Sequence, residues 1–124
     1  MSEPLQIVPV SGIDYDSKTN TYLAKELPAM VELVLTGYPA LYSGWVVLSG
    51  RMFRRGNNLE CKLILQGKST VQYSIPVNCR GIIIELIKIP SDTNRIFLQP
   101  MNSTGEFKIL ENFSIKRVNI FERK

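Results

Sequence analysis

The sequence predicts an all-β fold, an antiparallel sandwich of about eight to nine strands, and three observations lead there. First, the last third, IKIPSDTNRIFLQPMNSTGEFKILENFSIKRVNIF, reads as strand, turn, strand, turn, strand with no helical interruption. Pro90, the Ser91 to Asn94 cluster, Pro100 and the run Asn102-Ser103-Thr104-Gly105 punctuate it at the spacing of short sandwich strands, roughly 8 to 12 residues. Second, Leu59, Cys61, Leu63 and Leu65 alternate with Glu60, Lys62 and Gln66, the period of two that marks a half-buried strand. Third, no stretch sustains a helical period beyond a single turn, and there is no internal repeat.

Taken in order, Leu5 to Val10 reads as a first strand, and Ser11 to Asn20 is turn-like in its density of Gly, Asp, Ser and Asn, so residues 1–20 are expected to be partly irregular. Thr21 to Ala24 is a short strand, interrupted by Leu27-Pro28 because proline has no amide hydrogen to donate. Met30 to Thr36 follows with Val31, Leu33 and Leu35 on one face, and then a turn at Gly37-Tyr38-Pro39-Ala40. Gly44 to Arg54 is a long strand with Val46, Leu48 and Met52 on one side and Trp45, Val47 and Phe53 on the other. A hairpin at Gly56-Asn57-Asn58, residues that tolerate positive φ, leads into the alternating strand already noted. Val71, Tyr73 and Ile75 repeat the alternation up to Pro76. Gly81 to Ile89 is apolar on both faces, which predicts a central strand covered on each side, or one bulged near Glu85. Ile96, Leu98, Phe107, Ile109, Phe113, Ile115, Val118 and Ile120 are expected to line one shared core, with a bulge near Lys116-Arg117 to reconcile the parity of the last four.

Length and composition fit one soluble globular domain spanning residues 1–124, and no apolar run reaches the roughly 18 residues of a membrane span. The N-terminal segment MSEPLQIVPV lacks a basic region followed by an apolar one, so the expectation is a cytoplasmic protein, one exported by another route, or a virion component. Cys61 and Cys79 are read as thiols, a disulfide needing both an oxidising compartment and Cα atoms within about 7 Å.

The chain contains no histidine, which removes the commonest general acid-base residue near neutral pH and excludes a Ser-His-Asp or Cys-His nucleophile within it. Zinc ligation has no support in the spacing of the two cysteines, and no Gly-rich phosphate loop is present, so no cofactor and no catalytic residues are expected. Asp14 and Asp16 sit in the polar loop, where aspartate normally serves turn hydrogen bonds; a calcium ion is the alternative use, although the spacing matches no EF-hand. The ligand-binding candidates are Tyr38, Tyr42 and Trp45, as rings on which sugars or bases stack, and Arg51, Arg54 and Arg55, as a cluster able to meet phosphates, carboxylates or acidic glycans. The bland alternatives are a buried Trp45 and a solvated basic hairpin tip.

The segments GWVVLSGRM at 44–52, LILQG at 63–67, IPVNCRG at 75–81, IPSDTNRIFLQP at 89–100 and GEFKILENFSIKRVNIF at 105–121 carry a resemblance that extends from Pro4 to Ile120. The chain resembles the non-catalytic all-β domains that accompany the catalytic domains of large bacterial polysaccharide glycosyltransferases, which are themselves similar to galactose-binding-like jelly rolls. The resemblance implies a jelly-roll sandwich that packs on a carbohydrate-active partner and binds glycan. The sequence departs from that family in holding no glycosyltransferase domain and no acidic metal-nucleotide motif. Two other readings stand beside it: a structural assembly protein of a virion or tail, acting as a homo-oligomer, and an OB-like binder of single-stranded nucleic acid, suggested by the net charge of +4 but disfavoured by the strand count.

Overall fold

The computed structural model describes residues 2–34, 43–54, 60–77 and 80–118, and among them every regular element is a strand. There are eleven: β1 (Ser2–Pro4), β2 (Gln6–Ser11), β3 (Ile13–Asp16), β4 (Thr21–Ala24), β5 (Met30–Val34), β6 (Gly44–Arg54), β7 (Glu60–Gln66), β8 (Thr70–Pro76), β9 (Ile82–Ile89), β10 (Arg95–Gln99) and β11 (Gly105–Arg117). The surplus over eight or nine arises near the N-terminus. The turn-like segment after Ser11 contains β3, whose residues Ile13 to Asp16 pair with Ala24 to Thr21 across a tight connection. That connection uses the local chemistry of its polar residues: the Asp16 carboxylate accepts from the Lys18 N–H at 2.9 Å, and Asn20 takes the left-handed conformation with φ 53°.

The strands form two antiparallel sheets that pack as a sandwich. One runs β3-β4-β11-β6-β9, with β1 also paired to β11, and the other runs β2-β5-β10-β7-β8. Inward residues follow the period-two reading closely. Val46, Leu48 and Met52 of β6 and Cys61, Leu63 and Leu65 of β7 are all buried, and they meet Val31, Leu33, Ile75, Ile83, Ile87, Leu98, Phe113 and Ile115 in the main core. Burial of each such side chain contributes roughly 1.5–3 kcal/mol, which is why the pattern is a reliable guide to the inner face.

The last third departs from expectation in three ways. Phe107 belongs to a second buried cluster with Tyr22, Ala24, Ala29 and Met101, and Ile109 packs at the margin of both clusters. Val118 is half-buried just beyond β11, and Ile120 lies outside the described residues. The register of β11 slips not at Lys116-Arg117, which pair regularly with Val47 and Val46, but earlier, between Ile109 and Glu111 and again between Glu111 and Ser114. Two slips of one residue cancel in parity, so Phe113 and Ile115 face the same way as Phe107 while Leu110, Glu111 and Asn112 all stand in solvent.

β9 is also not the central strand that its doubly apolar pattern predicts. It is an edge strand, it pairs with β6 without interruption through Glu85, and its outward Ile84 and Leu86 are 70% and 47% exposed. Period two reports which residues share a face, and burial of the second face needs a covering layer that the described residues do not supply. One end of this edge is capped from the other sheet: the Tyr73 hydroxyl donates to the Lys88 carbonyl at 3.0 Å and accepts from the Lys88 N–H at 3.4 Å. An edge strand with open backbone groups is a pairing template, and a hydroxyl placed there blunts it. Tyr73→Phe is expected to cost about 0.5–1.5 kcal/mol and to increase self-association in light scattering; an unchanged urea midpoint would remove this role for the hydroxyl.

Candidate functional site

The outer face of the β3-β4-β11-β6 sheet carries a groove of about 780 Å³. Its construction follows from register. Asp14 of β3 and Glu106 of β11 each lie opposite Leu23 of β4, so these three form one outward row, and Lys108 of β11 lies opposite Phe53 of β6 in the next. Thr19, Thr21, Asp16 and Leu110 complete the walls. Phe53, Leu110 and Leu23 are 52%, 49% and 41% exposed, so the floor is an open apolar surface bordered by carboxylates, hydroxyls and one ammonium.

The strands beneath the groove are backed on their inner face by a row of aromatic rings. Tyr15, Tyr22 and Phe107 form a ladder of rings across β3, β4 and β11, with centroids 4.6 Å apart for the first pair and 5.0 Å for the second, the latter nearly parallel. Such ring pairs contribute about 0.5–1.5 kcal/mol beyond their burial. The Tyr15 hydroxyl donates to the Asn20 side-chain carbonyl at 2.8 Å, tying the turn to the strand. Burial, and then the neighbouring Tyr15, push the Tyr22 phenol above its ordinary pKa. Asp14 is engaged by the Lys25 ammonium at 2.9 Å, an exposed pair that raises the lysine pKa through the hydrogen bond and the charge.

The residues singled out from the sequence are distributed elsewhere. Tyr38, Tyr42 and Arg55 lie outside the described residues. Trp45 is half-buried on the outer face at the start of β6, with the Lys88 ammonium 6.0 Å from its ring centroid. Arg51 and Arg54 do not share a face. Arg51 points outward, donating from Nε to the Arg80 carbonyl at 3.0 Å and standing 4.0 Å from the Glu111 carboxylate. Arg54 is half-buried and donates from Nη1 to the Pro100 carbonyl at 2.8 Å, and burial lowers its pKa from the ordinary value. Each guanidinium spends a donor on a backbone carbonyl, and the two stand on opposite faces of β6 rather than in one cluster. Asp14 and Asp16 both border the groove, one ion-paired and one in a turn hydrogen bond, and no group of three metal-ligating side chains occurs among the described residues. Cys61 is buried in the main core, and Cys79 lies outside the described residues.

Sequence reasoning missed Phe53, Leu23, Leu110, Glu106 and Lys108 as one site. The one signal was the outward parity of Phe53 on a strand whose other face is core, and a single exposed ring becomes informative only when neighbours extend it into a patch. What the sequence lacked was the adjacency of β4, β11 and β6. No helix of the described residues is long and apolar enough to cross a membrane. The chain matches no protein-family model, and no curated protein matches it significantly.

Proposed function

We propose that this chain is a non-catalytic carbohydrate-binding or accessory module, a galactose-binding-like jelly roll working beside a carbohydrate-active partner. The observation that carries the reading is the groove over β3, β4, β11 and β6. Sugars present an apolar face of C–H groups and a rim of hydroxyls. An exposed Phe53 with Leu23 and Leu110 supplies a platform for the first, and Asp16, Glu106, Thr19 and Thr21 supply acceptors for the second. The strand order supports the jelly-roll type. The four strands β4-β11-β6-β9 face β5-β10-β7-β8, and from β4 to β11 the chain crosses between sheets at every step except β7 to β8, as two nested Greek keys require. The non-catalytic character rests on the chain's residue types, with no histidine to act as a base and Asp14 held by Lys25.

Titration with neutral hexose and N-acetylhexosamine oligosaccharides, followed by NMR, is expected to move the signals of Phe53, Leu110 and Glu106 before any others. Phe53→Ala, at a half-exposed position, is expected to weaken binding about tenfold, with urea unfolding run alongside to show that the variant is folded. Absence of any shift at these residues across the panel would reject the reading.

A second reading, assembly into a virion or tail particle, is favoured by one observation: the outward Ile84 and Leu86 of β9, beside Val47 of β6, form an apolar strip. A strict monomer by light scattering at high concentration, one that enters no larger particle, removes it. The two-sheet arrangement leaves the OB-like alternative without its five-stranded barrel.

A further inference from the structure

We infer that the groove prefers amine-bearing glycans, chains of hexosamine with free amino groups, over neutral and acidic ones; this rests on the glycan reading of the same site. The chain as a whole is basic, with a net charge of +4, yet the groove is not. It is bordered by the carboxylates of Asp14, Asp16 and Glu106 against the single ammonium of Lys108. Asp14 is balanced by Lys25 at 2.9 Å. Asp16 commits one oxygen to the Lys18 N–H and has its other oxygen without a partner among the described residues, as is the Glu106 carboxylate.

Two open carboxylates thus flank an apolar platform. A free amine on a sugar ring is a compact ammonium with three donors, and it matches this arrangement in both charge and hydrogen-bonding sense. An N-acetyl group offers one neutral donor in its place. A uronic acid would bring a third negative charge to the same rim and find only Lys108 to meet it, and like charges brought together oppose binding. Electrostatic preference at an exposed groove is moderate and weakens with salt, since screening acts over about 10 Å at 0.1 M ionic strength.

The experiment compares three tetrasaccharides by calorimetry and NMR: β-linked glucosamine, its fully N-acetylated counterpart and a uronic acid oligomer. The glucosamine tetramer is expected to bind about five- to tenfold more tightly than the acetylated one at 50 mM salt, and the advantage to shrink at 0.5 M. Asp16→Asn retains a side-chain acceptor for the turn, and Glu106→Gln is a surface change, so both variants test charge without unfolding. Each is expected to reduce the glucosamine advantage, read as the ratio of the two tetramers' affinities for the same variant, at least twofold, whatever hydroxyl contacts both tetramers lose with the carboxylate. Equal binding of the two hexosamine chains at the groove overturns this inference and leaves the glycan reading intact. Tighter binding of the uronic acid chain overturns it also. No groove shift with any of the three fells both.

Discussion

Gly81→Ala is expected to lower stability by about 2–5 kcal/mol, a large share of the roughly 5–15 kcal/mol that a domain of this kind holds. Gly81 has φ +80°, and a Cβ built there would lie 1.9 Å from the Met52 carbonyl oxygen. Two separate costs follow. The left-handed conformation penalises any residue with a Cβ by about 1–2 kcal/mol, and the collision is with backbone, which cannot rotate away as the end of a side chain would. Relief requires the end of β9 to move off β6, and the Met52 N–H donates to the Gly81 carbonyl at 3.0 Å, so that bond is strained by the same movement. Gly44 separates the two costs. It has φ +95° with no atom of the described residues within 4 Å of the added methyl, so Gly44→Ala is expected to show the conformational cost alone, about 1–2 kcal/mol. Urea unfolding of both variants checks this, and equal midpoints would show that the collision is not there. On the proposed glycan reading the change also reaches function, because Met52 precedes Phe53 and a displaced Met52 backbone tilts the ring that floors the groove. On that reading, glycan affinity in Gly81→Ala should fall even at temperatures where the protein is folded.

How far the sequence carries one toward this structure depends on whether the information is local. β6 and β7 are legible residue by residue, since the face occupied by Val46, Leu48 and Met52, or by Cys61, Leu63 and Leu65, is set by alternation within the strand. β3 was not, because Ile13-Asp14-Tyr15-Asp16 is rich in turn formers, and it becomes a strand by pairing with β4. β9 is an unbulged edge strand although its pattern predicts a central or a bulged one, because an apolar second face says nothing about whether a layer covers it. Parity predicts one bulge near Lys116-Arg117, whereas β11 slips twice and earlier, since a slip shows itself only against a partner, here β6. The groove is not legible in the sequence for the same reason on a larger scale. Leu23, Phe53 and Glu106 are unremarkable in their own neighbourhoods, and two long-range strand pairings, β4 with β11 and β11 with β6, bring them together. Aromatic-rich loops and arginine clusters are conspicuous in sequence, and conspicuousness is a property of local composition.

Gly50 shows the same limit and leads to the second large effect. A glycine inside the long β6 strand reads as a weak point, costing about 0.5–1 kcal/mol relative to alanine, unless another group needs its space. That group is Phe113. Its ring is fully buried, and a Cβ added at Gly50 would meet ring atoms at 2.4, 2.8 and 3.0 Å. Phe113→Ala is expected to cost about 3–5 kcal/mol through lost burial and the cavity left behind. Gly50→Ala alone is expected to cost about 1–3 kcal/mol, because the ring is wedged in the core between the sheets and has no flexible end to give way. In the Phe113→Ala background the methyl enters vacated space. There Gly50→Ala should be neutral or stabilising by up to about 1 kcal/mol, as strand entropy alone predicts. The double-mutant cycle should thus return a coupling of about 1–3 kcal/mol in the compensating sense, measured by urea unfolding of the four proteins. Additive costs would mean that Phe113 does not sit over Gly50, and with it would go the double slip in β11 that turns Phe113 inward and leaves Leu110 standing at the groove.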